Sequence, residues 1–263
     1  METLSFPKSP EIHRFNGGKP RRFIDTLKNI FRKSKKNGSN PQENVITPES
    51  TKLNILLESL SQIIDPGAED QHYLAKIESW LEEYRPQTNR KQVFRQLNRI
   101  AKHYHEYNCL LAFFYQHGIG TRIHTKKSFK YYKRGAENND KFAQNQVGWS
   151  YQNGIGTKRD FDKAFRWYTV SAEAGDTSGM CNLAYCYVDG TGTARDLNKA
   201  FFWFKKSAES GIAVSQFALA GCYRNGQGTP KDIHKALLWY QKALKHGYDF
   251  WRLDLHQILV VGY

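Results

Sequence analysis

The side chains most capable of chemistry are histidines and cysteines. His103, His105 and Cys109 lie close together, and His105 and Cys109, four apart, would share one face of a helix. Two aligned ligands do not close a tetrahedral site, so no metal is expected. Cys181, Cys186 and Cys222 complete a set of four cysteines with no Cys-x-x-Cys pair and no disulfide framework, and they read as small apolar residues in a reducing compartment. Gly118-x-Gly120 and its later copies share only their glycines with a phosphate-cradling loop. Each follows a helical stretch and lacks the Gly-Lys-Ser/Thr ending. No Ser-His-Asp order, nucleophile elbow, kinase loop or pair of catalytic carboxylates can be assembled. The expectation is a non-enzyme with no cofactor and no small-molecule substrate.

What remains is suited to recognition. Phe113, Trp149 and Tyr185 recur at one spacing, with Gln116, Gln152 and Val188, then His117, Asn153 and Asp189, on the same stretches, and Gly221, Arg224 and Asn225 in the fourth register. Rings beside amide and charged groups would hold an extended peptide, the rings anchoring it and the amides pairing its backbone. The same rings would serve equally well as core between units, and spacing alone does not choose. Bases could also stack on them, but the basic residues do not track these rings, so nucleic acid ranks below a protein or peptide. A second candidate contact lies near the start of the chain. Phe23, Ile24, Leu27, Ile30 and Phe31 fall on one helical face among Arg21, Arg22, Lys28, Arg32, Lys33, Lys35 and Lys36. Such a segment could lie on an anionic membrane, dock in a partner's groove or act as a nuclear address; an unstructured basic tail or a packed capping helix fits it as well.

These residues are positioned by a repeat. Gly118, Gly154, Gly190 and Gly226 are each 36 residues apart, and so are Gly120, Gly156, Gly192 and Gly228, Tyr115, Tyr151, Tyr187 and Tyr223, and Lys127, Lys163, Lys199 and Lys235. Each unit reads as two short helices. The first carries Ala112, Gly148, Ala184 or Ala220, small enough to admit a neighbouring helix, and ends where the first glycine takes a left-handed C′ conformation. Asp160, Asp196 or Asp232 then caps the second helix, on which Ala164, Tyr168 and Ala172 recur at helical spacing until Gly175, Gly211 or Gly247 stops it. The first unit departs from this pattern, with His124 in place of Asp, Ser128 in place of Ala and Asn139 in place of Gly. A single pair cannot bury its apolar face, so the pairs must stack into an all-α solenoid.

The unit Val147-Gly148-x-x-Tyr151-x-x-Gly154-x-Gly156-Thr157-x-x-Asp160-x-x-Lys163-Ala164-x-x-Trp167-Tyr168-x-x-x-Ala172-x-x-Gly175 resembles the Sel-one-like repeat family of tetratricopeptide-like helix-turn-helix repeats. That resemblance implies a right-handed alpha-alpha superhelix with the first helix of each pair on the concave, partner-binding face. Relatives act as scaffolds in membrane-protein quality control, in chitin synthase activation and in signalling. Disulfide-rich secreted relatives carry cysteine where this chain has Ala136, Ala172 and Ala208, so the resemblance does not extend to a secreted role.

The repeats are read as residues 107–142, 143–178, 179–214 and 215–250, followed by a capping half-repeat at 251–263. Upstream, residues 46–106 are read as a helical cap: Thr47-Pro48-Glu49 opens one helix, a second spans about 73–84, and Phe94, Leu97 and Ala101 are spaced like the second helix of a decayed repeat. Residues 1–45, rich in Pro, Gly, Ser, Asn and Lys, are read as a mostly disordered basic tail with a candidate amphipathic helix at 21–36. The net charge of +14 divides as +5 over residues 1–50, zero over 51–106 and +9 over 107–263, which favours acidic partners without choosing among them. No run suits a signal peptide or a membrane span. The reading is a cytoplasmic adaptor that binds a protein or peptide on the concave face. The alternative is a regulator recruited to a membrane surface through residues 21–36.

Overall fold

A computed structural model describes residues 90–248 of the chain, and among them every regular element is helical. After α1 (Arg90–Ile100) and a single 3-10 turn (His105–Tyr107) come four helix pairs: α2 (Asn108–His117) with α3 (Thr125–Glu137), α4 (Lys141–Asn153) with α5 (Phe161–Glu173), α6 (Thr177–Asp189) with α7 (Leu197–Glu209), and α8 (Ala213–Asn225) with α9 (Ile233–Lys245). Each helix packs on the next along the chain, and α4 also touches α6 directly. The result is a two-layer solenoid. The inner helices α2, α4, α6 and α8 are buried over most of their circumference, while the outer helices keep one face in water that is rich in lysine but also carries Phe161, Val170, Phe202, Ile233 and Leu238.

Local chemistry sets the ends of these helices. Gly118, Gly154, Gly190 and Gly226 close the inner helices at φ near +70°, each cap N–H reaching back to the preceding turn. The second glycine of each turn does a different job. A Cβ on Gly156 would overlap the backbone carbonyl of Thr125, at the start of the preceding outer helix. Gly120 stands in the same way against Arg90, Gly192 against Phe161 and Gly228 against Leu197. These turns are therefore the seams at which one unit sits on its predecessor. By the same geometry α1 meets the first turn as an outer helix, with Phe94 against Gly120 as Phe129 is against Gly156.

The recurring tyrosine and lysine belong to the same seam. Tyr151 meets the edge of Phe129 at a ring-centroid distance of 5.3 Å, and Lys163 lies 5.5 Å over the Tyr151 ring. Phe94 with Tyr115, Phe165 with Tyr187 and Phe201 with Tyr223 repeat the ring contact, and Lys127, Lys199 and Lys235 repeat the cation contact. Asp160 receives the Lys163 backbone N–H at 2.9 Å as N-cap of α5 and pairs with its ammonium at 2.8 Å; Asp196 and Asp232 do the same for α7 and α9. Hydrogen bonding to Lys163 and its positive charge hold the Asp160 carboxyl below its ordinary value. His124 takes this position in the first pair and makes no side-chain cap. Asn139 adopts the left-handed φ of +62° that glycine holds in the later units.

The small residue of the inner helix is explained by contact. A Cβ on Gly148 would come within 2.7 Å of the Tyr168 ring, and Ala112, Ala184 and Ala220 are fully buried at the same register.

Candidate partner-binding surface

The inner helices carry the residues that the sequence marks for recognition, and burial divides them. Phe113 is 2% exposed, packed among Leu110, Phe114 and the α1 residues Val93 and Leu97, with its ring 4.2 Å from His117. Tyr185 is 6% exposed and meets the edge of Phe204 at 4.9 Å. Burial raises its phenol well above the ordinary range. These two rings are core, which corrects the groove reading at both positions: an inner helix is covered by its own outer helix and by the one before it, leaving little wall to expose. Trp149 differs. It is half-buried, packing one side against Ala164 and Tyr168.

The polar candidates gather at the C-terminal ends of the inner helices. Gln152 accepts the Tyr168 hydroxyl at 2.6 Å, so its amide is committed to the α4–α5 pair. Asn153, exposed, donates to the Trp149 carbonyl at 3.0 Å. Asp189 and Asn225 are exposed, and Arg224, partly exposed, donates to Asn225 at 3.3 Å. Gln116 is partly exposed at the end of α2. The surface the structure presents is thus a lip of one indole edge with amides, a carboxylate and a guanidinium. Phe23, Leu27, Phe31, Arg32 and Lys33, like the expected cap helices before residue 90 and the half-repeat at 251–263, lie outside the described residues.

Several buried polar groups are not among the residues that the sequence marks, although Gln144 and Gln216 share one register of the repeat. Asn182 on α6 donates to Asn145 on α4 at 2.8 Å, and both are buried between neighbouring inner helices. Gln144 and Gln216 reach back to the Ala136 and Ala208 carbonyls, satisfying the ends of α3 and α7. Asp176, 1% exposed, caps α6 by accepting the Gly179 N–H at 2.6 Å; burial pushes its carboxyl up to about 7, and the hydrogen bond from Gly179 offsets only part of this. Burial lowers the His117 imidazole to about 4.

The thiols are inert by environment. Cys181, Cys186 and Cys222 are buried, which pushes each up to about 12, and the Cys109 thiol donates to Asp140 at 3.0 Å. His103 and His105 are exposed, and no group of three or more His, Cys, Asp or Glu that could hold a metal ion occurs among the described residues. Nor is any described helix long and apolar enough to cross a membrane.

Comparison with known proteins places this geometry. The Sel1 repeat model matches residues 105–140, 141–176, 177–212 and 213–248, and the last three blocks begin at the first residue of α4, α6 and α8. The crystal structure of a Sel1 repeat protein from Oxalobacter formigenes is 28% identical over 75% of this chain and 84% of that one, with a TM-score of 0.60. The structure of c5321, a protective antigen present in uropathogenic Escherichia coli strains, displays an SLR fold. It is 23% identical over 75% of this chain, which spans about half of c5321 (48%), with a TM-score of 0.58; this likeness is one of fold. No curated protein matches the chain.

Proposed function

Because the chain belongs to the Sel1 repeat family, whose helical scaffolds mediate protein–protein interactions and are typically non-catalytic, we propose that it is an intracellular adaptor that holds a partner protein or peptide along the lip of its inner helices. The observation that carries this reading is the register of the lip. Trp149, Asn153, Asp189, Arg224 and Asn225 come from three successive units at or near the same helical end. A partner backbone running across the units would meet amides suited to pairing it, and a partner side chain would meet the indole edge as anchor. Asp189 and Arg224, of opposite sign on adjacent units, would select a partner with the complementary order of charges.

The test is affinity capture with mass spectrometry from the native cell, comparing the wild-type chain with a Trp149→Ala, Arg224→Glu double variant. The partner set should be lost from the variant while its melting curve stays within a few degrees of wild type. Capture unchanged in a folded variant would move the binding site off the lip. Phe113 and Tyr185 are unsuitable for this purpose, because removing a buried ring costs about 3–5 kcal/mol and would unfold the repeat that carries it.

A further inference from the structure

We propose that the outer face of α1 and α3 is a docking surface for an anionic lipid bilayer. From Arg90 to Glu137, the span from the start of α1 to the end of α3, the chain carries eleven lysines and arginines against two acidic residues, Glu106 and Glu137, and Glu137 pairs with Lys133 at 3.8 Å. All eleven basic residues are exposed. The remaining described residues, 138–248, carry fourteen basic against nine acidic residues, and there Lys163, Lys199 and Lys235 are also paired, with the capping aspartates, at 2.8, 3.4 and 3.0 Å. The positive charge of the array is thus concentrated on its first two outer helices.

The fold makes these helices one surface. Phe94 of α1 meets Tyr115 of α2 edge-on at 5.2 Å, and Tyr115 stacks on Tyr131 of α3 at 5.8 Å, so α1 and α3 flank the same inner helix as successive members of the outer layer. Lys91, Arg95 and Arg99 recur every four residues along α1, and Lys126, Lys130 and Lys133 recur at four and three along α3. Each set forms a stripe on its helix. Two such stripes on successive outer helices spread positive charge over the outer layer, which matches the diffuse negative charge of a headgroup layer better than it matches one acidic peptide.

Two further observations favour lipid over nucleic acid. The rings on these helices are already engaged: Phe94 and Tyr131 with Tyr115, Phe129 with Tyr151, and Tyr132 buried against Phe142, so none is presented for stacking a base. The large apolar side chains that are exposed beside the basic residues are Ile123, 66% exposed between Arg122 and His124, and Tyr104, 47% exposed between His103 and His105. An exposed isoleucine offers nothing to a phosphate backbone but can enter the interface of a bilayer, whereas Tyr104 suits either partner and does not discriminate between them.

The experiment is vesicle sedimentation with the full chain, using phosphatidylcholine vesicles with and without about one third phosphatidylserine. Three proteins are compared: wild type, a triple variant Arg95→Gln, Lys126→Gln, Lys130→Gln, and a charge-matched control Lys158→Gln, Lys231→Gln, Lys245→Gln. Wild type should bind only the phosphatidylserine vesicles, and less as salt rises. The triple variant should bind about a hundredfold more weakly, about fivefold per basic residue at the surface, while the control stays within a few-fold of wild type. Equal loss in both variants would show that total charge is read and would overturn the assignment. Binding unaffected by the triple variant, or no binding to either vesicle, would overturn it as well. A polyuridylate or duplex DNA probe bound more tightly than the vesicles, and lost in the same triple variant, would give the surface to nucleic acid instead. None of these outcomes bears on the lip, whose variant leaves α1 and α3 untouched.

Discussion

His124 stands at an outer-helix N-cap where α5, α7 and α9 have a carboxylate, and it makes no side-chain hydrogen bond there. Lys127 already sits three residues on, as Lys163 does from Asp160. His124→Asp should therefore restore both the cap and the ion pair, stabilising the first unit by about 1 kcal/mol. Chemical denaturation should show the gain at pH 7, and it should shrink as acid protonates the new carboxylate. Asp176 presents the opposite case, a cap whose charge is costly. Its folded-state carboxyl is raised to about 7 from an ordinary value of 3.8, so protonation favours the fold. This contribution is complete below pH 4 and is lost as pH rises through about 7. Asparagine caps as well as aspartate and carries no charge, so Asp176→Asn should melt close to wild type at pH 4 and several degrees above it at pH 8. A melting difference that does not grow with pH would show that the carboxyl is ionised at no cost.

Among the helices and their turns, the two kinds of glycine separate conformation from contact. Gly175 has a φ of +83° and no atom within 4 Å of where a methyl group would stand, whereas Gly156, at +71°, lies against the Thr125 carbonyl and Phe129. Gly175→Ala should cost only the left-handed strain, about 1–2 kcal/mol. Gly156→Ala adds a backbone collision between units and should cost at least twice as much in urea unfolding, with a shallower transition as the first unit uncouples from the rest. Equal costs would mean that the seam tolerates separation. The helix pairs were legible in the sequence because caps, glycine stops and small packing residues act within a few residues of themselves. Which side of an inner helix is covered was not legible. The burial of Phe113 depends on α1, and that of Tyr185 on Phe204 and its neighbours, none of which the spacing of the rings encodes.

Over the full array, Trp149, Asn153, Asp189, Arg224 and Asn225 of the expected contact residues reach the surface, while two of the three rings of the expected ladder are wall. The basic face of α1 and α3 was hidden for another reason. Summing charge by candidate domain divides the chain at residue 106 and averages Arg90 to Lys102 with the acidic residues that precede them, and only the helix packing reunites the two halves. Buried asparagines were invisible because Asn145 and Asn182 stand 37 residues apart and fall in different registers of the repeat.

The seams also bear on how such an array changes length. Each unit rests on the first backbone carbonyl of the preceding outer helix, a group that every amino acid supplies, so a duplicated or deleted unit meets a fitting neighbour whatever its side chains. Bonds between side chains are more particular: Asn145–Asn182 matches one second unit to one third unit, as Ser207–Ser215 matches one third unit to one fourth. Copying residues 141–176 in tandem would place Gln146 where Asn182 belongs, leaving the new joint sound in shape but distinguishable in chemistry. The array can thus grow by copying while such joints keep a record of the original order.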